Sequence, residues 1–143
     1  WNMNVDGSAA DHDFEIVAPA DGLLIRRIIV TIKDATFNGD QYGGAGTLDN
    51  GCQLLVIDPD DVEYDLTDGD PVKAVSDWST FCYDADPDTY QNGDKTVPVR
   101  WSFDKWAGKG LKLPEGWKLV FRVQDDLTAL TRHTAVVQGE VGW

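Results

Sequence analysis

The amino-acid sequence predicts an all-β chain, a two-sheet antiparallel jelly-roll sandwich of about eight strands forming one domain over residues 1–143. Three observations predict it. Apolar residues alternate at period two in segment after segment, which sets them on one face of extended strands. Turn-forming runs separate those segments: Asn38-Gly39-Asp40, Gly43-Gly44, Asp68-Gly69-Asp70-Pro71, Asn92-Gly93-Asp94 and Pro114-Glu115-Gly116. No stretch sustains a helical period. The 70–80 segment has room for one turn, and strands without helices between them disfavour a parallel sheet.

The elements follow in order. Asp13 to Val17 places Phe14 and Ile16 on one face. Leu23 to Lys33 is long and rich in β-branched residues, with Leu24, Arg26, Ile28, Val30 and Ile32 expected on one side, as suits a central strand. Cys52 to Ile57 is continuously apolar and bounded by Asn50-Gly51 and Asp58-Pro59. With Val62 to Leu66 it reads as a hairpin closed by a short acidic turn. Val97, Val99, Trp101 and Phe103 alternate with polar residues. Trp117, Leu119, Phe121 and Val123 do the same, with Lys118 and Arg122 turned the other way. Thr131 to Val141 sets His133, Ala135 and Val137 on one side, and Leu111 to Leu113 is a short additional strand.

Charge is the unusual bulk property. With 25 acidic against 12 basic residues the net charge is −13, a field that repels phosphate backbones and anionic membranes. No nucleic-acid or membrane partner is expected. Adaptation to high salt is a competing source of the acidity, because salt screens the self-repulsion. No segment approaches the ~20 apolar residues of a membrane span, and no signal peptide is visible. Cys52 and Cys82 are too few for a disulfide framework. A single bridge and a pair of buried thiols are both open, with the thiols the better fit to their apolar settings.

The candidate chemistry is thin. Asp84, Asp86 and Asp88 alternate as oxygen ligands for a structural calcium would, but Thr89 and Lys95 stand where a calcium-binding helix–loop–helix needs Gly and Glu. Here and at Asp58, Asp60, Asp61, Asp68 and Asp70, solvated Asp-rich turns are the simpler reading. Asp125 and Asp126 are neighbours and point apart if extended, so they do not suit a glycosidase pair; they are expected to accept N–H bonds within their own turn. His133 reads as a hydrogen-bonded core or interface residue. Gly43-Gly44-Ala45-Gly46 lacks the Lys of a phosphate loop and reads as a flexible loop. With no nucleophile motif in the chain, no enzyme is expected. Of six tryptophans, Trp101 and Trp117 fall on strand faces read as buried. Trp1, Trp78, Trp106 and Trp143 are the candidate contact residues, because Trp is enriched where proteins meet.

Several segments carry a resemblance. Asn4-Val5-Asp6-Gly7-Ser8, Ala18-Pro19-Ala20-Asp21-Gly22, Arg26-Arg27-Ile28-Ile29-Val30, Thr47-Leu48-Asp49-Asn50-Gly51, Asp77-Trp78, Tyr83-Asp84 and Val99-Arg100-Trp101 are followed by Val123-Gln124-Asp125-Asp126-Leu127-Thr128-Ala129-Leu130 and Val137-Gln138-Gly139. Over nearly the whole chain this resembles small virion-associated proteins of tailed viruses of bacteria and archaea. The resemblance implies a non-enzymatic structural protein of the virion. The foremost expectation is a capsid decoration (cement) protein that contacts the major capsid protein and forms a homo-oligomer such as a trimer. A neck, tail or baseplate component is the variant. A carbohydrate- or receptor-binding module with Trp rings stacked on sugars is the reading from a different class.

Overall fold

The alternating segments form strands that pair as one continuous ribbon. The computed structural model describes residues 1–4, 12–34, 41–67, 69–74, 77, 84–85, 95–103 and 110–142. Within them lie β1 (Asn2–Asn4), β2 (His12–Val17), β3 (Leu23–Asp34), β4 (Cys52–Ile57), β5 (Glu63–Asp65), β6 (Asp84–Ala85), β7 (Lys95–Ser102), β8 (Leu111–Leu113), β9 (Lys118–Val123) and β10 (Arg132–Val141). The β4–β5 hairpin is innermost. Outside it β3 pairs with β7, β2 with β9 and β1 with β10, all antiparallel. Successive pairs fall in opposite sheets. One sheet therefore runs β1-β10-β3-β7-β6 and the other β2-β9-β4-β5. A ribbon nested and wrapped in this way is a jelly roll. The expected fold class is thus the observed one. β8 only supplements the start of β3, and the eighth strand of the ribbon is the three-residue β1.

The core lies between the sheets. Ile28, Val30, Ile32, Ala135 and Val137 face Leu54, Val56, Leu119, Phe121 and Val123 across it. The expected phase of β3 holds for Ile28, Val30 and Ile32 but not before them. Gln138 pairs with Arg27 and Gly139 with Ile25, which leaves Arg26 as an extra residue. This β-bulge reverses the alternation, so Leu23 and Ile25 face the core and Arg26 and Arg27 are both exposed. Gly139 makes the bulge possible. A Cβ there would lie 2.1 Å from the Leu24 carbonyl oxygen and 3.0 Å from Ile25 Cα.

The unbroken apolar run of β4 has a structural reason. Cys52, Leu54 and Val56 face the main core, while Leu55 and Ile57 join Val120 in a second buried cluster on the opposite face of that sheet. Leu55 is 1 % and Val120 0 % exposed although neither faces the sandwich interior. Arg122 shares this outer face and forks to Asp13 on β2 (Nε–Oδ1 2.8 Å) and to Glu63 on β5 (2.7 Å). By register the reach from Arg122 to Glu63 runs diagonally over Leu55. A guanidinium can lay its apolar stem on such a surface while its head stays paired.

Candidate functional site

Of the tryptophans expected at contacts, Trp1 is described; Trp78, Trp106 and Trp143 lie outside the described residues. Trp1 is 45 % exposed, and its backbone exchanges hydrogen bonds with Val137, its ammonium donating to the Val137 carbonyl at 2.9 Å. Trp117 is not fully buried. Its ring packs on the margin of the core and stacks with Tyr64, centroids 5.7 Å apart and planes 17° from parallel. Tyr64 is half exposed, and its hydroxyl donates to Asp58 Oδ2 at 3.3 Å.

For the calcium candidates, the backbone of Asp84 is placed in β6, opposite Arg100. Asp86 and Asp88 lie outside the described residues. Among the described residues no three His, Cys, Asp or Glu side chains converge as a metal site would require. The acidic turns instead bind their own backbone. Asp58 Oδ1 accepts from the N–H groups of Asp60 and Val62, both at 2.9 Å. Asp65 accepts from Thr67 and Gly69, and Asp77 from Lys73 and Ala74. A carboxylate that caps a turn in this way replaces the hydrogen bonds missing where the ladder ends.

Asp125 and Asp126 divide in role. Asp126 acts locally, as expected, accepting from Thr128 N–H at 2.9 Å, and this bond holds its carboxyl below the usual carboxylate range. Asp125 does not act within its own turn. Its two oxygens take the N–H groups of Asp49 (3.1 Å), Asn50 (3.2 Å) and Gly51 (2.6 Å), more than seventy residues away. Gln124 and Asn50 add reciprocal side-chain bonds, Asn50 Nδ2 donating to the Gln124 carbonyl and Gln124 Nε2 to that of Gly51. The strand after Asn50-Gly51 is thereby tied to the exit of β9.

The Gly43–Ala45 stretch is not the flexible loop expected. It forms a 3-10 turn in which Gly44 N–H donates to the buried Asp34 carboxylate. Gly43 has φ +57, and a Cβ there would meet Leu130 Cδ2 at 2.8 Å and Asp34 Oδ2 at 2.9 Å. The turn delivers Tyr42 into the core, fully buried. Tyr42 bonds the Cys52 thiol, and its hydroxyl lies 3.0 Å from His133 Nε2. Phe121 meets the His133 ring edge-on at 5.4 Å. Burial drives the His133 imidazole down to about 3, so it is neutral at ordinary pH, and pushes the Cys52 thiol up to about 12. Cys52 is a free thiol; Cys82 lies outside the described residues. These three polar groups bridge the two sheets inside the core, away from solvent.

A cleft of about 240 Å³ opens at the bulge, lined by Arg26, Arg27, Gln138, Gly139 and Glu140. Arg26 Nη2 pairs with Glu140 Oε1 at 2.6 Å. Sequence reasoning missed this cleft, because its signal is a glycine inside a strand, Gly139, opposite two consecutive arginines. Comparison of the chain with protein-family models, with curated proteins and with solved structures finds no match.

Proposed function

We propose that this chain is a non-catalytic structural protein of a tailed virus, foremost a capsid decoration protein that stabilises the head through contacts between subunits. One observation carries the reading: among the described residues the candidate polar groups are engaged in holding the scaffold, while large apolar side chains remain exposed at the margins of the sheets. Asp125 clamps a distant loop, and His133 and Cys52 are locked in the core with Tyr42. Trp1 on the β1 side, Val62 and Tyr64 at the β5 edge and Val141 at the end of β10 are exposed. Free strand edges with apolar side chains are surfaces that associate. Bound subunits would add to shell stability by mass action. The resemblance to virion-associated proteins points the same way, with the major capsid protein as partner and the virion as location. Locating the polypeptide in a cryo-EM map of the intact particle tests this, and a head, neck, tail or baseplate position is read directly from the density. Particles that lack the chain refute it.

The Tyr64–Trp117 stack favours a second reading, a carbohydrate- or receptor-binding module, since an exposed ring held flat can receive a sugar face. A saturable change in Trp fluorescence on adding oligosaccharide, abolished by Tyr64→Ala, would support that reading over the first.

A further inference from the structure

Two surfaces of the protein complement one another. The first is the bulge cleft. Its extra residue brings Arg26 and Arg27 side by side to the outside. Arg26 is paired with Glu140, whereas Arg27 has no carboxylate partner among the described residues. In a chain of net charge −13 this is a local concentration of positive charge.

The second surface is the β4–β5 loop. Asp58 uses its carboxylate on the loop's own N–H groups and on the Tyr64 hydroxyl, and its N–H donates to the Val62 carbonyl. The loop is therefore preorganised, with exposed Asp60 and Asp61 at its tip. Val62 and Tyr64 are its apolar shoulders.

We propose that the acidic tip of the β4–β5 loop of one copy docks into the Arg26–Arg27 cleft of a second copy. The Asp60 carboxylate meets the Arg27 guanidinium. This rests on the assembly reading above and names its self-contact. A guanidinium binds a carboxylate with directional, charge-assisted bonds. The chains repel at long range, but at physiological salt that repulsion is screened beyond about 8 Å while a contact pair persists. Because the two surfaces are different patches, the contact is head-to-tail and closes into a ring if its rotation permits.

Sedimentation equilibrium of the full chain at fixed salt tests the contact. Wild type is expected to associate with rising concentration. Arg27→Glu places like charges together and should weaken association by about tenfold or more. Asp60→Lys should do the same. Asp60 is chosen because its carboxylate takes no part in fixing the loop, and circular dichroism checks that both variants fold. The double variant restores opposite charges at every junction and should recover association, and a mixture of the single variants should recover it wherever the two alternate. A double variant that stays monomeric while wild type associates would overturn the proposal, and so would a monomeric wild type. A monomeric wild type that still decorates particles sinks this contact and leaves the virion reading intact. Charge-swap association by a chain absent from particles does the reverse.

Discussion

Acidification should destabilise this protein through one residue, His133. Its ring is fully buried, faces Phe121 edge-on and bonds Tyr42, and burial holds it neutral down to about pH 3. In the unfolded chain the same imidazole titrates near the ordinary value of about 6.5. The folded value is the depressed one, so the unfolded state binds the extra proton. The stabilising term is complete above the unfolded value and is lost as pH falls toward the folded one. Between pH 8 and pH 5 the loss is about 2 kcal/mol, approaching about 1.4 kcal/mol per pH unit at the acid end. His133 is the fully buried histidine and is expected to dominate this window. Urea unfolding at several pH values would measure the slope, and His133→Gln, which keeps a hydrogen-bonding partner for Tyr42 but cannot titrate, should flatten it. A wild-type slope unchanged in the variant would refute the reasoning, as would a flat wild-type profile.

Three further outcomes follow from the geometry. Gly139→Ala should cost about 3 kcal/mol or more, because all three atoms nearest its new methyl are backbone, and chemical denaturation would show a shift larger than that of Gly69→Ala, whose methyl meets nothing within 4 Å and which carries only the backbone strain of φ +80. Asp125→Ala strands N–H groups of Asp49, Asn50 and Gly51 and should lower stability by about 1–2 kcal/mol, with Asp126→Ala costing less, as thermal melts of the two would compare. Arg122→Met keeps the stem over Leu55 and should lose at most about 1 kcal/mol of ion pairing, whereas Arg122→Ala also uncovers apolar surface and should lose more, a ranking that calorimetry can check.

Most of the sandwich was legible because alternation reports which face of a strand is buried. It worked for β2, β9 and β10, where Ile16, Leu119, Phe121, His133 and Val137 all turn inward. It failed in β3, where Leu23, Leu24 and Ile25 are all apolar and so hide the change of phase at Arg26. The phase there is set by a contact with Gly139, more than a hundred residues away, and no local pattern encodes it. Asp125 shows the same limit: its residue type announced a turn cap, but the three N–H groups it receives belong to another loop. Tyr42 precedes a glycine run and carries no local signal of its burial; only the packing of Gly43 and Gly44 on Asp34 and of Gly43 on Leu130 shows why that run is rigid.

The nested pairing also dictates how the chain must find its shape. Leu55 meets Asp65 across a handful of residues, whereas Met3 meets Ala135 across nearly the whole chain. Closing the outermost rung first would cost the full entropy of that loop, but each inner rung shortens the search for the next. Acquisition of structure should therefore zip outward from the β4–β5 hairpin, leaving β1 to join last. Kinetic measurements should find that weakening Val56 slows folding while weakening Met3 mainly hastens unfolding, and equal effects on both rates at both sites would contradict this order.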